Sequence, residues 1–85
     1  MTAKERILEY LPEEELLFVD GFDDAIIGFC NNSLKIVYDV DLMLEILVSE
    51  QLMHPDDAIE HLEFNIFCAY VGEQTPIYVN MLRYD

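Results

Sequence analysis

Carboxylates are the side chains in this sequence with the clearest chemical potential. Five aspartates could gather at one end of a predicted β-hairpin: Asp20, Asp23, Asp24, Asp39 and Asp41. Clustered carboxylates bind Ca²⁺ or Mg²⁺, because hard cations take several oxygen ligands. The chain lacks an Asp-x-Asp-x-Asp-Gly loop with a closing glutamate, and turn or capping roles account for each aspartate. We therefore expect neither a metal site nor a bound cofactor.

The two histidines could serve as acid–base groups or as metal ligands. His61 follows Asp57 by one helical turn, and His54 stands before Pro55 at an N-cap position. No serine or cysteine with the context of a nucleophile accompanies them, and no glycine-rich phosphate loop is present. An i,i+4 pair is common on helix surfaces, so we expect an ion pair and a cap rather than catalysis. The sequence predicts that the protein is not an enzyme.

Three further polar or reactive residues stand among large apolar ones. Cys30 and Cys68 have no motif spacing, which predicts buried free thiols in a reducing cytoplasm rather than a disulfide. Asn65 lies between Phe64 and Ile66. If it is buried, its amide must find partners, because an unsatisfied amide costs about 1–3 kcal/mol. We expect Asn65 to have a structural role.

The elements that position these residues begin with a helix and a hairpin. Thr2 and Glu5 form a capping box for the first helix. Strands are predicted over residues 25–30 and 34–38, and the Asn31-Asn32-Ser33 turn joins them, because asparagine tolerates positive φ. This β-hairpin is the strongest local prediction in the chain.

Two apolar helices and a final strand complete the predicted fold. The first helix of this pair covers residues 42–52 with Asp41 as its N-cap, and the second runs from Pro55 to about Val71. Because Pro76 lacks an N–H, the strand over residues 75–79 should lie at an edge of the sheet or begin at this residue. We expect a single α+β domain over residues 1–85, with a small antiparallel sheet of about three strands packed by about three helices.

Acidic residues greatly outnumber basic ones in this chain. It has 18 acidic residues against four lysines and arginines, which gives a net charge of −14. A surface this negative repels nucleic acid and acidic lipid, and it attracts basic surfaces. With 53% hydrophobic residues the chain can still fold around a core, unlike disordered acidic sequences. We expect a basic protein partner, with no direct contact to nucleic acid or to a membrane.

The predicted helices are more apolar than a small sheet can cover. Phe64, Phe67 and Val71 form a second apolar stripe on the helix over residues 55–71, and they are the candidates for an apolar interface. A second copy of the chain, forming a homodimer, or another partner would cover them. The alternative is that this helix lies in the middle of the domain.

Several short motifs resemble those of a family of short uncharacterised proteins that bacteriophages and prophages largely encode. The resemblance covers residues 16–79 and rests on residues 22–28, 38–41, 63–65, 69–73 and 75–77. The family usually has an aromatic residue at Val40, Ser or Thr at His54, and Gly at Cys68. No catalytic residue carries over. The resemblance implies a phage product that acts in the cytoplasm of a bacterial host.

In that setting we expect a small acidic domain to inhibit or modulate a host protein that handles nucleic acid. Targets include a nuclease, a CRISPR effector, a restriction enzyme or a repressor, whose basic groove the carboxylates would occupy in a salt-dependent way. The residues expected on this acidic face are Glu13, Glu14, Glu15, Asp20, Asp23, Asp24, Asp56, Asp57 and Glu60. One alternative is a structural or assembly module that binds through its apolar helices. Another is a small enzyme whose divalent metal the five aspartates hold.

Overall fold

Three short helices pack against a three-stranded sheet in a computed structural model that describes residues 2–11, 16–69 and 71–82. The α+β prediction is confirmed. In chain order the elements are α1 (Ala3–Tyr10), a 3₁₀ turn (Asp23–Ala25), β1 (Ile26–Phe29), β2 (Ile36–Asp39), α2 (Val40–Ser49), α3 (Pro55–His61), a π-helical turn (Leu62–Phe67) and β3 (Ile77–Val79).

The sheet is mixed rather than wholly antiparallel. β1 and β2 form the predicted hairpin, whereas β3 runs parallel to β2, with Val37 opposite Ile77. The direction follows from the connection: β2 leads straight into α2, and the chain returns through α3 to the other end of the sheet. Parallel neighbours need such a crossover, usually through helices. β3 is an edge strand, as Pro76 predicts.

The core lies between the sheet and the helices, and it draws on every helix and on β1 and β2. Alternation along β2 puts Ile36 and Tyr38 fully inside. The other buried apolar residues are Ile7, Phe22, Ala25, Ile26, Met43, Ile46, Leu47, Ala58 and Leu62.

Side-chain caps begin all three helices. The capping box of α1 is confirmed, because the Glu5 N–H donates to Thr2 Oγ1 over 3.1 Å. The cap of α2 is Asp39, not the predicted Asp41: Asp39 Oδ1 accepts from the N–H groups of Asp41 (2.9 Å) and Leu42 (3.4 Å). The prediction was wrong because the last residue of β2 itself turns into the helix.

The predicted helix from Pro55 to Val71 is shorter and changes geometry. Its α-helical part ends at His61, and the π-helical turn follows. The wider turn brings Phe67 to the same side as buried Leu62, five residues earlier, where its ring centroid lies 4.8 Å from that of Tyr78. Phe64 is 74% exposed, so this helical segment does not lie in the middle of the domain.

Candidate functional site

Acidic side chains cover much of the described surface. In residues 2–11, 16–69 and 71–82 every Asp and Glu is exposed except Asp39, which is fully buried. The members of the predicted acidic face that are exposed are Asp20, Asp23, Asp24, Asp56, Asp57 and Glu60. The other three, Glu13, Glu14 and Glu15, lie outside the described residues.

Few cations stand close to these carboxylates. Two charged contacts join described residues: Lys4 Nζ lies 3.7 Å from Asp23 Oδ2, and His54 Nδ1 lies 3.9 Å from Asp56 Oδ2. The second is not a salt bridge while His54 caps α3, because a nitrogen that accepts the Asp56 N–H carries no proton. One lysine is therefore paired with an acid in the described ranges.

The hairpin separates several acids from Lys35. Asp23 and Asp24 precede β1 and Asp41 follows β2, so all three lie at the open end of the hairpin. Lys35 lies at the opposite end, where its carbonyl accepts the Cys30 N–H in the turn. The antiparallel register therefore collects negative charge at one end of the strands and leaves a positive side chain at the other.

The aspartates do not assemble into a metal site where the structure describes them. No three acidic, histidine or cysteine side chains in those ranges stand close enough together to hold a metal ion. The Asp39 carboxylate instead caps α2 from a buried position. Hard cations need several oxygens around one point, and this arrangement does not supply them.

Asp20 and α3 meet at a groove of about 370 Å³, which we call the Asp20 groove. Its lining residues are Asp20, Gly21, Phe22, Ile46, Leu47, Gln51, Met53 and His61. Asp57 precedes His61 by one turn and lies on the same face of α3. Among the described members of the predicted acidic face, Asp20 lines this groove and the other five do not.

A buried tyrosine positions the segment that carries Asp20. The Val19 N–H donates to the hydroxyl of Tyr38 over 2.7 Å, and the Phe22 N–H donates to the Val19 carbonyl over 3.3 Å. Burial raises the pKa of the Tyr38 phenol, the Val19 N–H opposes this rise, and the Asp23 charge adds to it. Asp20 is therefore held between an anchored backbone group and a buried aromatic ring.

The three apolar interface candidates have different environments. Phe64 is 74% exposed and Val71 58% exposed, whereas Phe67 is half-buried against Tyr78. Of the three, Val71 lines a second groove, of about 270 Å³. We call it the Tyr78 groove, and its described lining is Leu17, Phe18, Val19, Asn65, Ile66, Ala69, Val71, Pro76 and Tyr78.

The histidines make contacts that differ in part from those predicted. His54 caps α3 as expected, but no hydrogen bond or ion pair joins Asp57 to His61, although the structure describes both. His61 Nδ1 instead lies 3.4 Å from Asn65 Nδ2. Asn65 is exposed, so the question of an unsatisfied buried amide does not arise. The ion-pair prediction was therefore wrong: in the structure His61 Nδ1 faces the Asn65 amide one turn further along the chain.

The two cysteines are free, but Cys68 is exposed and Cys30 only half-buried. Burial of Cys68 was predicted wrongly, because the helical segment ends at Phe67 and the chain turns outward. The Ser33 hydroxyl, followed by the N–H groups of Ser33 and Asn32, lowers the pKa of the Cys30 thiol. Sequence reasoning missed this environment, and its signal is a serine three residues after the cysteine within a turn.

Comparison with known proteins gave no relative. The chain matched none of the family models, curated proteins or solved structures with which it was compared. The resemblance to phage and prophage proteins therefore stays a prediction. None of the helices in the described ranges has the length and apolar character to cross a bilayer.

Proposed function

We propose that this protein is a non-enzymatic acidic binding protein that occupies a basic surface on a protein that handles nucleic acid. The resemblance to phage and prophage proteins gives this proposal its setting, the cytoplasm of an infected bacterium, and its biological role, inhibition or modulation of a host nuclease, CRISPR effector, restriction enzyme or repressor. No chemical step is needed, because the bound acidic surface excludes DNA or RNA from the groove.

Support comes from one observation above all: every described Asp and Glu except Asp39 is exposed. Such carboxylates create a potential that speeds encounter with a cationic surface by about 10- to 1,000-fold at low salt. They also match the charge that a basic groove normally meets in a phosphate backbone. Asp56, Asp57 and Glu60 lie within two turns of α3, so part of this charge is concentrated on one element.

The proposal is tested by capture from a nuclease-treated bacterial lysate at 50 and 500 mM NaCl. We expect a basic protein to be retained at the lower salt and released at the higher, because the Debye length falls to a few ångströms as ionic strength approaches 1 M. The purified captured protein should lose its DNA or RNA binding when this protein is added. Retention of nothing at 50 mM, or retention that 500 mM salt leaves unchanged, would contradict the proposal.

Two variants with equal charge separate position from net charge. The test variant removes three charges from α3, and the control removes three exposed charges elsewhere: Asp56→Asn with Asp57→Asn and Glu60→Gln, against Glu9→Gln with Glu45→Gln and Glu73→Gln. We expect the first to weaken binding about tenfold, since three exposed ion pairs contribute about 0.5 kcal/mol each. The control should weaken it about twofold or less. Equal losses would assign the binding to overall charge alone.

A second candidate function is a structural or assembly module that binds through the apolar surface. The exposure of Phe64 and Val71 favours it, and Val71 also lines the Tyr78 groove. The complex of this module with its partner, or a homodimer, would persist at high salt and would be disrupted by Phe64→Ser. Light scattering at 50 and 500 mM NaCl distinguishes it, because a dimer that persists at both salts and is lost in F64S fits this candidate alone.

A further inference from the structure

The Asp20 groove combines an apolar floor with a polar rim. Phe22, Ile46 and Leu47 are buried residues of the core, and their accessible edges form the floor. Asp20 and Gln51 are exposed and stand on the rim. The volume of about 370 Å³ lies within the range of about 300–1,000 Å³ for sites that bury small ligands. It is large enough for one long side chain from another molecule.

This combination of surfaces matches a cationic side chain with a long aliphatic stem. Methylene groups of such a side chain bury against apolar walls while the charged head stays at a polar rim. An anion would meet the field of a chain with a net charge of −14 and would be repelled. A neutral apolar group would contact the floor but would make no favourable interaction with the Asp20 carboxylate. The charge of the rim therefore selects a cation.

The protein already recognises one of its own cations in a similar way. Lys4 Nζ lies 3.7 Å from Asp23 Oδ2 and 4.7 Å from the centroid of the Phe18 ring. The ammonium group thus has a carboxylate on one side and an aromatic face on another, and both attract it. Asp20 offers a carboxylate of the same kind to a cation that comes from outside, whereas the Phe22 ring, which is 5% exposed, offers only an apolar edge.

Arginine fits these groups better than lysine. Its planar guanidinium can bond a carboxylate through two parallel N–H groups. It is also less strongly hydrated than an ammonium group, so it enters a partly apolar groove at lower cost. Gln51 on the rim adds an amide oxygen that can accept a further N–H.

We propose that the Asp20 groove receives an arginine side chain of the basic partner, with Asp20 holding the guanidinium and Phe22 and Leu47 covering the stem. This inference rests on the proposed function and names the side chain by which the partner is recognised. The groove fixes the position of the partner, while the surrounding carboxylates attract it without a defined geometry.

Titration with acetylated, amidated hexa-arginine at 50 mM NaCl tests the inference, with hexalysine as the probe of equal charge. Methyl NMR signals of Leu47 and Met53 should shift on addition of hexa-arginine, because both residues line the groove. Asp20→Asn should weaken hexa-arginine binding about three- to fivefold, as expected for one exposed charge pair. Glu73→Gln, which removes the same charge from an exposed residue outside the groove, should weaken it less than about twofold.

The outcomes separate this inference from the proposed function. Tight binding of hexa-arginine with shifted Leu47 and Met53 methyls and a selective loss in D20N would support the groove. Binding that D20N and E73Q weaken equally, with both methyl signals unmoved, would overturn the groove and leave the acidic binding surface intact. Equal binding of hexalysine at the same methyls would overturn the assignment to arginine. Failure of both peptides to bind at 50 mM NaCl would overturn the proposed function itself.

Discussion

Removal of one hydroxyl group, in Tyr38→Phe, should loosen the segment that presents Asp20. Tyr38 is fully buried, and its hydroxyl accepts the Val19 N–H over 2.7 Å. Phenylalanine keeps the ring and its contact with Tyr78 but leaves that N–H without its acceptor. An unsatisfied group of this kind costs about 1–3 kcal/mol. That is a large share of the roughly 4–13 kcal/mol expected for a domain of this size.

Urea unfolding followed by circular dichroism at pH 7 measures this loss, with Tyr78→Phe as the matched control. The Tyr78 hydroxyl makes no hydrogen bond to any residue in the described ranges, so its removal should change the free energy of unfolding by about 0.5 kcal/mol or less. The melting temperature of Y38F should fall by roughly 4–8 °C for each kcal/mol lost. Equal costs for Y38F and Y78F would refute the role given to the Val19–Tyr38 hydrogen bond.

The difference in folding stability between the unmodified protein and Y38F should also depend on pH. Burial raises the pKa of Tyr38 in the folded state, whereas an unfolded tyrosine titrates near about pH 10. The contribution of the neutral phenol is therefore fully present below about pH 10 and is lost as the pH rises through the folded pKa. The stability gap between the unmodified protein and Y38F should be constant up to about pH 10 and should narrow as the pH rises further. A gap that stays constant above about pH 10 would contradict the burial argument.

Two further pairs of substitutions test the backbone and the caps. Leu52 has a φ of 55° and is 85% exposed, so Leu52→Asn should raise the free energy of unfolding by about 0.5–1 kcal/mol, because asparagine tolerates the left-handed region better. Leu82→Asn, at a similarly exposed position without positive φ, should change it by less than about 0.5 kcal/mol in the same urea assay. Asp39→Ala should cost about 1–2 kcal/mol through loss of the α2 cap, whereas Asp41→Ala should cost less than about 1 kcal/mol. Thermal unfolding compares this pair, and a larger loss in D41A would show that the wrong aspartate has been assigned as the cap.

Local signals in the sequence predicted much of the fold. The hairpin and the caps at Thr2 and His54 depend on residues within a few positions of each other, and all three are present. The detail of the hairpin turn differs, because positive φ falls at Leu34 and not at either asparagine. A turn signal places the reversal of the chain, whereas hydrogen bonds across the whole loop decide which residue takes the strained conformation.

Features that depend on contacts between distant residues could not be predicted from the local sequence pattern. The direction of β3 is set by the path of the chain through α2 and α3, and the π-helical turn by the packing of Phe67 on Tyr78. The exposure of the acids followed from their charge, but the meeting of Asp20 with His61 across one groove did not. Composition predicts which residues face water, while tertiary contacts decide which of them share a site.

The parallel pairing of β2 with β3 has a consequence for synthesis. The second edge of β2 finds its partner only at β3, where Val37 lies opposite Ile77, so the hairpin and α2 emerge from the ribosome well before the sheet can be completed. At about 5–20 residues per second, one side of the central strand stays uncovered for a few seconds. A nascent chain in that interval presents an open strand edge, and its high acidic charge would then keep neighbouring chains from pairing with it.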